Sequence, residues 1–415
     1  MPPGPQLNAR LKTLDLIRGF AVLGILAINI AGFAGPRPGT ISPALVAPLA
    51  TTTSALDPAA YAFSLLFFEG KMRALFSILF GAGIVLFCEH AEARGENGEV
   101  FQVRRLFWLM ALGMAHYLLL WWGDILFVYA MCGLVALMLR GLSDRVLLVL
   151  SIGLLYGWHL WGLFELAPLV HAETALREGS ASLAQSRMVA DWYRPVVTYI
   201  QQEMAEARMG YFQLVLTKLT HRPLWLLAMV WGSFAETLPL MLIGVVLYRR
   251  GFFSGAVHRD VLRKVGLTSL ASGLGLTAAF TFWAWHKDFA PIAMEAALAW
   301  GLVLPHLLSA LGYAAVLVLI APRITETALG QRIIAAGQMA FSNYIGTSLV
   351  MCALFQGWGL GLFARFGPAA QWLFVLLGWA LMLAWSARWL QHFRRGPLEW
   401  LWRSLVEKRP LQNRR

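Results

Sequence analysis

The chain has 415 residues, of which 59% are apolar, 13% are charged and 18 are tryptophans. A soluble domain averages roughly 45–50% apolar and about 25% charged, so this composition excludes an ordinary soluble fold and describes an integral membrane protein. The formal charge of +12 lies in short loops and in a C-terminal stretch (Arg394, Arg395, Arg403, Lys408, Arg409, Arg414, Arg415), where it sets topology and meets anionic lipid rather than nucleic acid.

The first long segment, residues 10–29 (RLKTLDLIRGFAVLGILAIN), starts basic at Arg10 and turns apolar at Leu14. It carries Asp15 and Arg18 into a membrane-length run, with Asn29 further along. Two charges inside the apolar region, with several more spans to follow, read as a retained helix rather than a signal peptide. About 20 apolar residues cross a ~30 Å hydrocarbon layer, and ten such windows follow one another. They cover 14–34, 71–90, 105–122, 123–140, 145–167, 223–248, 261–286, 296–321, 333–355 and 368–391.

The third and fourth windows join through Trp121-Trp122-Gly123-Asp124, read as a tight turn with an aromatic interface anchor. Residues 61–70 (YAFSLLFFEG) are too short to span and read as an interfacial or re-entrant piece. Cys88, Cys132 and Cys352 all lie in apolar runs, which argues for small buried hydrophobes and against a disulfide framework or a metal site.

Loop charges set an orientation. Arg94, Arg104 and Arg105, then Arg140 and Arg145, then Arg249, Arg250, Arg259, Arg263 and Lys264, then Arg323 and Arg332 fall on one side. The alternate loops carry only Arg37, Lys287 and Arg365 outside the long segment 168–222. The alternation predicts an all-α bundle of about ten spans with both termini cytoplasmic. Residues 35–57 and 168–222 are the extracytoplasmic loops and 392–415 a basic cytoplasmic tail. The longer loop has helix-forming composition, and helices lying on or beside the outer membrane surface are expected there.

Polar residues inside apolar runs are the functional candidates. Asp15 and Arg18, three apart, share a helix face. They are either an interface salt bridge or a place where Arg18 receives an anionic group such as a phosphate. Asn29 lies roughly 16 Å above Arg18 by helix rise and is either an interhelical hydrogen-bond group or part of a site.

His116 and Asp124 flank a turn. Asp124 reads as a helix N-cap or as the partner of a general-base histidine. Glu236 and His306 sit mid-span, Asn343 is a lone amide on an apolar helix, and Glu69, Lys71 and Arg73 form a charged knot whose plain reading is a surface network. No P-loop, dinucleotide fingerprint, HExxH or His/Cys metal spacing occurs, which argues against ATP-driven pumping and zinc proteolysis.

The segments LDLIRGFAVLGILAIN, LFSILFGAGIVLF and RRLFWLMALGMAHYLLLWWGDILFVYA, in that order, resemble the YeiB family of bacterial inner-membrane proteins, a family of unknown function. MLIGVVLYRRGFF, GQMAFSNYIGTSLV and GPLEWLWRSL resemble its second half. The opening is also similar to those of OafA-like O-acyltransferases and heparan-α-glucosaminide N-acetyltransferases. That resemblance implies transfer of an acyl group from cytosolic acyl-CoA to a small-molecule or glycan acceptor at the far face.

Arg18 matches a family Arg, while Asn29 stands where OafA-like enzymes have a catalytic His, and no His occurs between residues 31 and 60. The expectation is therefore that His116 acts as base with Asp124 and that Asn29 supports the oxyanion. Arg18, Arg249 and Arg250 would hold the phosphates of acyl-CoA, with a polar cavity between the first, third, fourth and sixth spans. The alternative is a proton-coupled transporter using Glu236 and His306.

Overall fold

The computed structural model describes the backbone of residues 5–415 and side chains from residue 12 onward, so the side chain of Arg10 lies outside the described residues. Sixteen α-helices and isolated bridges (Thr52 with Phe366, Phe393 with Arg414) make an all-α protein among the described residues. Helix α1 (Pro5–Ala34) carries the opening segment. Three short 3₁₀ turns lead to α2 (Asp57–Phe67), which stops at Phe68–Gly70 before α3 (Lys71–Glu92). The short piece expected at 61–70 is thus most of α2, a helix of its own.

Then come α4 (Gly98–Leu119), capped by the Asn97 side chain, and α5 (Leu126–Leu139). Trp121 in the turn between them is buried, stacked on Phe33 at 4.0 Å with its indole N–H donating to the Gly32 carbonyl, so it is a core residue and not an interface anchor. Helix α6 (Asp144–Arg177) starts at the Ser143 cap and continues through Pro168, past the expected end at 167. Helices α7 (Leu183–Glu206), opened by a Ser182/Gln185 capping box, and α8 (Tyr211–His221) fill the rest of the long loop.

The second half holds α9 (Trp225–Arg249) and α10 (Arg259–His286). The window expected at 296–321 is interrupted: α11 (Pro291–Ala296) passes through a π-turn, Ala297–Gly301, into α12 (Val303–Ile324). The window at 333–355 is likewise two helices, α13 (Ala328–Gln338) and α14 (Ala340–Phe355), broken at Met339 (φ −110°, ψ 27°). After α15 (Pro368–His392), residues 394–415 are folded rather than a free tail. Helix α16 (Pro397–Glu407) packs on the start of α4, and the Arg394 and Arg415 N–H groups donate to the Asn413 and His392 carbonyls.

Among the described residues seven helical stretches are long and apolar enough to cross a membrane: α1, α2–α3, α6, α9, α10, α12 and α15. Helices α5 and α14 are apolar but shorter. Helix α4 has the length, but Glu99, Arg104, Arg105 and His116 make it less apolar. The main core is built by α3, α9, α5 and α12 around Leu75, Ile78, Met241 and Val245.

Between α3 and α9 the backbones nearly touch. A Cβ at Gly81 would fall 1.9 Å from the Met241 carbonyl oxygen, and one at Gly244 would fall 2.0 Å from that of Ile78. Lipid gives no hydrophobic drive between helices, so such close packing through small residues is what holds them.

Loops gather in two groups at opposite ends of the bundle. At one, the Arg37 N–H donates to Glu203 (2.6 Å), Ser42 to the Phe289 carbonyl (2.6 Å), Gly357 to that of Ala207 and Ala364 to that of Ala34. At the other, Arg140 pairs with Glu99 (3.0 Å), Arg250 with Asp144 (2.6 Å) and Arg104 donates to the Val406 carbonyl.

Candidate functional site

Helix α4 ends one turn after His116, and the chain turns back so that Asp124 precedes the start of α5. His116 Nδ1 and Asp124 Oδ2 share a hydrogen bond of 2.9 Å, with both side chains almost wholly buried. The other carboxylate oxygen, Oδ1, accepts the Phe127 N–H at 2.8 Å. Asp124 is therefore both the cap of α5 and the partner of His116. His116 Nε2 is buried with no hydrogen-bond partner among the described residues.

The Tyr344 ring on α14 lies 5.1 Å from the imidazole, and its hydroxyl donates to the Gly123 carbonyl and accepts from the Ile125 N–H, clamping the turn. Asn29 lines a crevice of about 10 Å3 with Tyr344, Thr347 and Ser348. This crevice lies between α1 and α14, not between the first, third, fourth and sixth spans.

A second polar centre forms where α2 breaks into α3. Gly70 has φ +70°, and a Cβ there would overlap the His306 imidazole at 1.9 Å from Nδ1, so only glycine fits both the turn and the ring. The break exposes backbone carbonyls, and the Lys71 ammonium satisfies those of Leu65 (3.0 Å) and Glu69 (3.2 Å). One turn on, the Arg73 guanidinium holds both oxygens of Glu236 at 3.2–3.3 Å, with Glu69 at 3.8 Å.

Tyr129 on α5 donates to the Arg73 carbonyl and shares a 2.8 Å hydrogen bond with Ser77. The charged knot is therefore not a surface network: Lys71 is fully buried, and the group reaches Glu236 and His306, far apart in sequence. His306 Nε2 is buried without a hydrogen-bond partner among the described residues.

Other candidates take structural positions. Arg18 donates to Asp15 at 2.8 Å. Arg249 and Arg250 both engage Asp144, and Arg249 also bonds the Leu142 and Arg140 carbonyls. No hydrogen bond or ion pair joins these two to Arg18 among the described residues. Asn343 is spent on packing: its amide donates to the Ala336 carbonyl and Ser386, and its oxygen accepts the Trp385 indole N–H at 2.7 Å.

Tyr344 and Tyr129, which complete the two centres, were not singled out in sequence. Both are aromatic residues on helices rich in them, and nothing local marks a hydroxyl that reaches another helix. Tyr344 is adjacent to Asn343, so the signal was one residue away.

A cavity of about 280 Å3 opens between the ends of α1, α2, α10 and α15 and reaches Glu69.

A family model described as "Protein of unknown function (DUF418)" matches residues 247–409. Over nearly its whole length the chain is similar to the uncharacterized protein YeiB of Escherichia coli (strain K12), 30% identical over 95% of each chain. It is 28% identical to the uncharacterized protein YxaH of Bacillus subtilis (strain 168), covering 96% of this chain and 94% of that one. It is also 26% identical to an uncharacterized 39.9 kDa protein from the amylase 3' region of Bacillus acidopullulyticus, with 97% and 95% covered. No solved structure matches the chain.

Proposed function

This chain belongs to the YeiB family, and from that premise we propose a membrane-embedded acyltransferase of the bacterial inner membrane that uses cytosolic acyl-CoA. Its acceptor is a hydroxyl or amine on a small molecule or glycan at the outer face. The observation that carries the reading is the sealed His116–Asp124 pair with Nε2 left free. With Asp124 ionised it can only accept, so Nδ1 keeps the proton and Nε2 presents its lone pair. His116 takes the acceptor's proton there as the acceptor oxygen or nitrogen bonds to the thioester carbon, and returns it to the CoA thiolate as the C–S bond breaks. Asp124 holds the tautomer, and Asn29 offers an amide N–H to developing negative charge. Acyl-CoA, when bound, supplies the activated acyl group, and Arg18, Arg249 and Arg250 are the cations that would meet its phosphates.

In this reading ten helices cross the bilayer (α1, α3, α4, α5, α6, α9, α10, α12, α14 and α15) and both termini are cytoplasmic, as the cationic loops favour. The test is transfer of radiolabelled acetyl from acetyl-CoA by protein in nanodiscs. His116→Ala and Asp124→Asn are each expected to cost about 10²–10⁴-fold, and full activity in both variants would sink the assignment.

A second reading, a proton-coupled transporter, is favoured by the broken helix at Gly70, beside His306 and the Arg73–Glu236 pair. It requires gradient-driven solute movement without acyl-CoA, lost in Glu236→Gln.

A further inference from the structure

We propose that the cavity at the loop-covered end of α1, α2, α10 and α15 binds a small organic cation, an ammonium group carried on an apolar body. The cavity measures about 280 Å3, just under the range of about 300–1,000 Å3 common for small-molecule pockets. It is lined by five aromatic rings, Tyr61, Trp285, Phe289, Phe366 and Trp372, and its only charged residues among the described ones are Asp57, Glu69 and Asp288. Aromatic faces together with carboxylates and no cation are the surroundings an ammonium group prefers. An anionic ligand would meet three like charges there.

Most of the polar groups in the lining are already engaged. Both Asp57 oxygens accept backbone N–H groups, from Ser54 and Ala369. Tyr61 donates to the Ile41 carbonyl, Gln371 to that of Phe366, and Ser64 accepts from the Trp372 indole while donating to Ala60. Asp288 sits at the rim, 89% exposed and paired with Arg177.

Glu69 is different. It lies in the break just past the end of α2, at the far end of that helix from Asp57, and its side chain keeps 21% of its surface accessible. Its Oε1 accepts the Gly70 N–H at 3.1 Å, while Oε2 has no hydrogen bond among the described residues. The nearest cation, Arg73, spends its closer contacts on Glu236, and the Lys71 ammonium is taken by two backbone carbonyls. A ligand ammonium supplies the donor that Oε2 lacks. None of these residues belongs to the His116–Asp124 site, so the proposal stands whether or not the chain transfers acyl groups.

The experiment measures binding of choline and of its neutral isostere, 3,3-dimethylbutan-1-ol, to the whole chain in nanodiscs, by calorimetry and by tryptophan fluorescence. Saturable choline binding at least about ten-fold tighter than the alcohol is expected, with Trp285 or Trp372 emission quenched. Glu69→Gln is expected to remove that preference, and Trp372→Phe to weaken choline while leaving some preference. Equal binding of choline and alcohol by the unaltered chain overturns the proposal, as does the absence of saturable choline binding. Because that comparison uses the unaltered chain, it decides even where the Glu69 variant does not fold.

Discussion

Asp124 has two oxygens, and the two readings its sequence position allowed are divided between them. One oxygen caps α5 through Phe127 and the other is hydrogen-bonded to His116 Nδ1. The spacing could not choose because both answers hold at once. The same division makes the pair fragile. His116→Ala strands a buried carboxylate oxygen and is expected to destabilise by about 3 kcal/mol or more. Adding Asp124→Asn should restore part of that loss, read from melting temperatures of the single and double variants.

A second residue-scale effect belongs to Glu203 on α7. Burial pushes its carboxyl up from 4.5 to about 6, against the Arg37 N–H and the charges of Arg37 and Arg222 that pull it down. A carboxyl raised in the fold stabilises it fully below about pH 4.5, and that share is lost as pH climbs through about 6. The window is worth about 2 kcal/mol. Glu203→Gln should flatten melting temperature between pH 4.5 and 6.5, and an unchanged slope would show that other groups carry it.

Among the elements, several helix starts are capped by carboxylates from elsewhere in the chain. Asp57 accepts from Ala369 at the start of α15, Glu173 from Ile292 and Ala293 at α11, and Glu399 from Phe341 and Ser342 at α14. A helix start away from water still has unpaired N–H groups, and a remote carboxylate is one way to satisfy them. Glu399→Ala should cost about 1 kcal/mol and free α16, seen as faster proteolysis within residues 394–415.

These caps explain what was hard to read beforehand. Where every residue is apolar, periodicity marks a span but not a break in it. The break at Met339 has Gly337 two residues before it and the π-turn at Ala297–Gly301 ends in Gly301, but a lone Gly inside an apolar run does not by itself tell a break from a packed span. The extents of α3, α9, α10 and α15 were legible because charges bracket them, whereas α1 begins at Pro5, nine residues before the window at 14–34. The Glu69–Arg73–Glu236–His306 meeting was not, since it depends on how three helices pack.

For the molecule as a whole, the linking segments split into two hydrogen-bonded sets, and the cation-rich ones share an end. With α7 and α8 at the opposite end, reporters inserted at the exposed glycine turns Gly179 and Gly255 should report opposite sides of the membrane. Labelling of both from one side would overturn the ten-span arrangement. The resemblance carried by six segments in chain order placed the chain in its family, and Asn29, at the position where OafA-like enzymes have a histidine, lines a crevice with Tyr344.

The Asp57 cap also sets an order in time. Its partner Ala369 lies 312 residues later in the chain, and synthesis at roughly 5–20 residues per second separates the two by on the order of 15–60 seconds. Throughout that interval α2 sits in the growing protein with only one Asp57 oxygen answered, by the Ser54 N–H, and the mouth of the cavity unwalled. The aromatic pocket is therefore among the last features to exist, closing only when α15 inserts, and a chain released before that helix would reach the membrane with most of its bundle and no cation site.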